Sequence, residues 1–281
     1  MADAGYERTA GQRRWSPAAW TVVAWLVAIA FFLPVAWMVI TAFKREPAAY
    51  TYPPTLDFTP TLDEFRQALA RGVGPYLENS AMATGFSTIL VLVLALPAAY
   101  ALAIRPVRKW RDSLFFFIST KMLPVVAAIV PLYIVARDVH MLDNIWTLVV
   151  LYAAMNLPIA VWMLRSFFLE VPREVLEAAR VDGAGLRQEM TAVLGPLIRP
   201  GLAATALICV IFAWNEFFYA VNLTSTRAAT MPVYLVGFIT SEGLFWARLS
   251  AAATLASAPV IIVGWIAQKQ LVRGLSMGAI K

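Results

Sequence analysis

One cysteine and one histidine occur in 281 residues, and charged side chains make up only 14% of the chain. The single thiol, Cys209, excludes a disulfide or a thiolate metal site within the chain, and the single imidazole, His140, leaves no hydrolase constellation or metal cluster and reads as a surface residue. No Gly-x-x-x-x-Gly-Lys-Ser/Thr segment is present, so the chain has no phosphate loop with which to hydrolyse ATP itself. No small-residue cleavage site follows a short apolar run near the N-terminus, and the first apolar segment is long enough to read as a retained anchor. Hydrophobic residues reach 60%, against about 45–50% hydrophobic and about 25% charged in soluble domains. The class is therefore a polytopic membrane protein.

A membrane span needs about 20 predominantly apolar residues, and six segments qualify: Trp20–Phe43, Ala81–Ile104, Leu114–Ala136, Ile145–Phe168, Gly201–Val221 and Ala251–Gln268. Backbone facing lipid must satisfy its own hydrogen bonds, so these are expected to be helices and the fold all-α. The chain then divides into residues 1–19, a six-helix domain over 20–268 and a tail over 269–281. Proline falls within five of the spans, at Pro34, Pro97, Pro124 with Pro131, Pro158 and Pro259, and favours kinks there.

The basic residues sort by side. Arg8, Arg13, Arg14, Arg105, Arg108, Lys109, Arg111, Arg165, Arg173, Arg180, Arg187, Arg199, Lys269, Arg273 and Lys281 flank one set of span ends, whereas Lys44, Arg45, Arg66, Arg71, Arg137, Arg227 and Arg248 flank the other. The richer side is expected to be cytoplasmic, with both termini on it. Lys44-Arg45 runs against that trend, but Glu46, Asp57, Asp63, Glu64 and Glu78 share its loop. That first loop carries a short helical pattern, Leu62 to Leu69, expected to lie as a small outer cap. The fifth connection, Asn222 to Ser250, reads either as an outer loop or as a partly re-entrant one.

The fourth connection, within residues 169–200, is charged and ordered-looking in an otherwise apolar chain. Pro172 suits a helix start, Arg173 to Asp182 favour a helix, and Gly183 can end it in a left-handed cap. Ala178 and Ala179 offer a shallow surface onto which a soluble partner can close, with Glu177 beside them as a carboxylate for an arginine of that partner. Gly185-Leu186 is expected to open a second short helix through Val193, stopped by Gly195-Pro196.

Glu177-Ala178-Ala179, Asp182-Gly183-Ala184 and Pro196, with thirteen residues from Gly183 to Pro196, resemble the coupling loop of permease subunits from binding-protein-dependent ABC importers. Gly195 stands where carbohydrate importers commonly have leucine. Asn79-Ser80, Trp214-Asn215-Glu216 and the tail Gly274-Leu-Ser-Met-Gly-Ala-Ile-Lys281 are similar to the maltose-type smaller permease branch, and Lys121-Met-Leu-Pro124 resembles sugar-alcohol permeases. The resemblance implies a type I importer permease fold in a bacterial inner membrane. It implies a second homologous permease, two ATP-binding cassette ATPases that bind the ATP and Mg, and an extracytoplasmic solute-binding protein, with no cofactor in this chain and no nucleic acid. The chain would be a transport subunit without an ATPase site of its own.

Polar side chains inside spans are functional suspects because hydrocarbon disfavours them. Lys121, Asn156, Asn215 and Glu216 are the main ones, and Glu216 lies about 22 Å along its helix from Gly201 at ~1.5 Å per residue. Glu216 reads as a structural tie or as a pathway residue, and Trp214 and Tyr219 as sugar-stacking platforms or as interfacial anchors. The alternative class is an ion-coupled secondary transporter of small polar solutes with Lys121 and Glu216 as a coupling pair. No repeat of the first three spans is apparent in the last three, which counts against it.

Overall fold

The computed structural model describes residues 17–105, 108–240 and 243–279; Arg8, Arg13, Arg14, Ile280 and Lys281 lie outside them. In chain order the helices are α1 (Pro17–Ala42), α2 (Glu46–Ala49), α3 (Asp63–Ala70), α4 (Val73–Ala103), α5 (Trp110–Thr120), α6 (Val125–Asp138), α7 (Ile145–Leu169), α8 (Arg173–Val181) and α9 (Leu186–Gln188). A π-helical stretch, Glu189–Leu194, leads into α10 (Gly195–Trp214), followed by α11 (Phe218–Leu223), α12 (Met231–Val236) and α13 (Trp246–Ala279). A minimal antiparallel hairpin pairs Ile239–Thr240 with Gly243–Leu244.

Five helices are long and apolar enough to cross a membrane, and α5 with α6 makes a sixth crossing only as a pair bent by 86°. The third span expected over Leu114–Ala136 is therefore not one helix. Lys121 is the C-cap of α5 and Pro124, at ψ 118°, is the N-cap of α6; a proline offers no N–H to continue the ladder and pushes the residue before it out of the helical region. The fifth span is corrected as well. It ends at Trp214 rather than Val221, with Asn215 as C-cap and a separate short α11 beyond. By contrast Pro34, Pro97, Pro131, Pro158 and Pro259 all lie inside helices.

The core lies where α4, α7 and α10 meet. Val91, Ala95, Ala99, Ala153, Ala160, Val161, Leu164, Ile198 and Cys209 are buried there together, and the small residues let the helix backbones approach closely. Gly201 of α10 marks the tightest approach, because a Cβ at that position would run into the Phe167 ring of α7. Helix α1 packs on α13 and leaves most of its apolar surface exposed.

At the end opposite α8, the first loop folds as a cap. Its helical pattern is α3, as the sequence implies. Lys44 turns inward: it is 2% exposed, donates from Nζ to the Thr55 carbonyl at 2.7 Å and faces the rings of Trp37 and Phe58 at 4.5 and 5.1 Å. Arg248 pairs with Glu64 at 3.1 Å, and Glu46 accepts from the N–H groups of Ala247 and Arg248 at the start of α13, the favourable place for a carboxylate on a helix.

Candidate functional site

Helix α8 is held by one apolar residue. Leu176 is buried among the core side chains, whereas Glu177 and Ala178 are exposed and Ala179 half-buried. The helix stops as its sequence implies: Gly183 sits at φ 82°, its N–H reaches the Arg180 carbonyl at 3.1 Å, and the Ala184 N–H reaches the Ala179 carbonyl at 2.9 Å. That pair of bonds closes the last turn, and a left-handed residue is what makes it possible. Asp182 and Gly183 are exposed beside the motif, so Glu177, Ala178, Asp182 and Gly183 present one accessible surface. Pro196, also exposed, lies apart in the first turn of α10.

The second half of the loop departs from expectation. Gly195-Pro196 does not stop a helix; α9, the π-helical stretch and α10 run on as one rod. Pro196 falls in the first turn of α10, directly after the π-helical stretch. The Gly185 N–H donates to Gln188 Oε1 at 3.1 Å and steadies the entry.

Glu189, which the sequence did not single out, is completely buried at this end. Its carboxylate accepts from Tyr100 Oη at 2.8 Å and from Arg180 Nη2 and Nε at 2.9 and 3.1 Å, and Arg105 Nη2 stands 3.6 Å away. Nothing local marks it, since residues 169–200 carry five acidic and four basic side chains, and its partners Tyr100 and Arg105 come from the far end of α4.

The six suspects in or near the spans do not form one site. Asn156 is buried and donates from Nδ2 to the Cys209 carbonyl at 3.4 Å. Lys121, at the α5–α6 break, stands 5.7 Å from the Phe212 ring. Trp214 donates from Nε1 to the Ala256 carbonyl at 3.1 Å; with Asn215 and Ser257 it lines a cleft of about 360 Å³ between α10, α12 and α13. Glu216 lies beyond the end of α10 and accepts from the N–H groups of Tyr219 and Ala220 at 2.9 and 3.3 Å, which caps α11. Lys121 and Glu216 form no ion pair with each other among the described residues.

Asp143 was missed too. It lies in the turn before α7 at φ 52°, and its carboxylate accepts from the N–H groups of Ser225, Thr226, Arg227 and Ala228 at 2.9–3.2 Å. Burial pushes this carboxyl up, but the four N–H groups outweigh it and hold it well below the usual carboxylate range. Asn79 donates to the carbonyls of Arg227 and Ala229 at 2.8 and 2.9 Å, and Ser80 Oγ accepts from the Met231 N–H at 2.8 Å. The connection after α11 is therefore laid across the ends of α4 and α7 opposite α8.

The chain thus carries up to six crossings, with an exposed, glycine-capped helix between the fourth and the fifth. This chain belongs to the family of binding-protein-dependent transport system inner membrane components. Residues 65–277 match the family model. The permease is 38% identical over 263 residues to the probable ABC transporter permease protein y4oR of Sinorhizobium fredii, covering 93% of this chain and 95% of that one. It is 33% identical to the diacetylchitobiose uptake system permease protein DasC of Streptomyces coelicolor, over 92% and 95% of the two chains. It is 30% identical to the trehalose/maltose transport system permease protein MalG of Thermococcus litoralis, over 91% and 94%. A chain from the crystal structure of a bacterial ABC transporter involved in the import of alginate superimposes with a TM-score of 0.73 at 24% identity, over 89% of the permease and 94% of that chain. That likeness shows the fold: the permease has the architecture of an ABC importer's membrane subunit, a multi-pass inner-membrane protein.

Proposed function

We propose that this permease forms half of the translocation pathway of an ATP-driven carbohydrate importer and receives its energy through α8. The observation that carries the reading is the free surface of α8, where Glu177, Ala178, Asp182 and Gly183 are exposed while Leu176 is buried in the core and Arg180 is bonded to Glu189. A second homologous permease completes the pathway, a pair of ATPase subunits holding ATP and Mg grips the two coupling helices, and an extracytoplasmic binding protein delivers the solute. Closure of the ATPases carries α8 with it and swings the spans from inward- to outward-facing; hydrolysis resets them.

The diacetylchitobiose and trehalose/maltose permeases among the relatives support a carbohydrate as solute; a polyol rests on the resemblance of Lys121-Met-Leu-Pro124 alone. Asn215, Trp214, Tyr219, Glu216, Asn156 and Lys121 stay the pathway candidates, with Asn215 and Trp214 foremost because they line one cleft. The α8 end faces the cytoplasm, together with both termini. The distribution of basic residues supports that orientation: fifteen Lys and Arg residues flank the span ends on the α8 side and seven flank the other.

The test is uptake of labelled sugars and polyols by vesicles carrying the reconstituted importer, with the binding protein first screened by thermal shift for its solute. Glu177→Lys is expected to abolish uptake and solute-stimulated ATP hydrolysis while the chain stays in the membrane. Normal uptake by that variant would remove the coupling claim, and uptake by the permease without any ATPase would remove the importer.

A further inference from the structure

Beside the coupling surface, one buried carboxylate joins three elements at a single point. Glu189 opens the π-helical stretch. Tyr100 and Arg105 come from the end of α4, and Arg180 comes from α8. A carboxylate taken wholly out of water is tolerated only when charge and hydrogen bonds surround it, and here both oxygens are engaged. The reverse also holds. Arg180 and Arg105 approach the same carboxylate from α8 and from the end of α4, and without it two guanidinium groups would be left beside each other with no charge between them.

The surroundings make that link matter mechanically. A cleft of about 370 Å³, lined by Ala103, Ile104, Phe168, Leu176, Glu177 and Arg180 among others, separates much of α8 from the ends of α4 and α7. Chain continuity alone would transmit little, because α8 joins the next helix through Gly183-Ala184-Gly185, with two glycines in three residues. A load on the exposed face of α8 would then tilt it into the cleft about Leu176.

We propose that Glu189 is a positioning residue that locks α8 to the end of α4 and to the rod leading into α10, so that displacement of α8 moves these helices as one body instead of being lost in the glycine turn. This rests on the coupling role assigned to α8 and names the residue that makes the coupling stiff.

The experiment uses the complete importer in proteoliposomes with Glu189→Ala, Glu189→Gln and Glu189→Asp. Val181→Cys, on an 87% exposed position of α8, serves throughout as a cross-linking reporter for the ATPase. Glu189→Ala is expected to assemble and cross-link as before and to keep basal ATP hydrolysis, while the solute-stimulated component and the solute moved per ATP fall roughly tenfold. Glu189→Gln, which keeps an acceptor for Tyr100 and Arg180 but not the charge, should lie between. Glu189→Asp, which keeps the charge, should recover most of the loss. Unchanged stimulation in Glu189→Ala would overturn the proposal, and so would basal and stimulated activities falling together in step with lost assembly. A wild-type importer with no solute-stimulated hydrolysis would instead defeat the importer reading beneath it.

Discussion

Gly201 of α10 lies directly against the ring of Phe167 in α7, with no room between them for a methyl group. One turn on, the buried Thr205 hydroxyl folds back onto the Gly201 carbonyl at 2.8 Å. Gly201→Ala is therefore expected to destabilise the chain by about 1–3 kcal/mol through overpacking, read as an earlier thermal unfolding transition of the purified permease. Phe167→Ala combined with Gly201→Ala should restore part of the loss, since the two residues share one contact. Additive losses in the double variant would show that the clash does not govern this site.

At Gly183 the issue is conformation and not space. Its φ of 82° is unfavourable for a side chain, yet nothing lies within 4 Å of where a Cβ would stand. Gly183→Val is expected to cost roughly 1–2 kcal/mol of local strain and to lose uptake while the protein remains in the membrane. Gly183→Asn, a residue that tolerates the left-handed region, should transport nearly normally. Equal activity in both variants would show that the cap does not set the position of the coupling surface.

Asp143 supplies a pH signature. Its carboxyl is held below the ordinary value in the folded chain, so the folded state resists protonation more than the unfolded one does. The stabilisation is complete above the unfolded value of about 3.9 and disappears as the pH falls towards the lower folded value. Melting temperature should drop less between pH 5 and pH 3 in Asp143→Ala than in the wild type, and Asp143→Ala should already be weaker at pH 7 by about 1.5–3 kcal/mol, the worth of a hydrogen bond to a charged group. Parallel pH curves for the two proteins would refute the clamp.

Glu216 offers a split outcome. Its two oxygens cap α11, and removing a cap costs about 0.5–2 kcal/mol. Glu216→Gln retains one acceptor and should keep most of the stability and most of the assembly with the partner permease, whereas Glu216→Leu should lose both in a pull-down. Full assembly of Glu216→Leu with lost or altered sugar uptake would place the carboxylate on the solute route instead.

Orientation can be read by labelling. On a Cys209→Ser background, a cysteine placed at the exposed Asp57 should react with a membrane-impermeant reagent in intact cells, and one at the exposed Arg187 should react only after the membrane is opened. External modification at Arg187 would invert the topology.

Composition alone decided that this chain crosses a membrane, because apolar runs of that length have no other stable solvent. The local chemistry of α8 was equally legible: Pro172 ahead of it, the alanines within it and Gly183 after it act on neighbouring residues, and the structure keeps each in its place. The breaks were less so. Hydropathy averages over Lys121 to Pro124 and over Asn215 to Phe217, and so ran Leu114–Ala136 and Gly201–Val221 through as continuous spans where the backbone turns away. Lys44 looked like a loop charge on the wrong side until the fold turned it between Trp37 and Phe58. Glu189 and Asp143 were invisible for a plainer reason. Asp143 is defined by donors 82 or more residues away, and Glu189 by Tyr100, 89 residues away, together with Arg180 in the same loop, and which carboxylate meets which donor is set only when the helices pack, a choice made by the summed apolar contacts of α4, α7 and α10 and by no motif in the polar residues themselves.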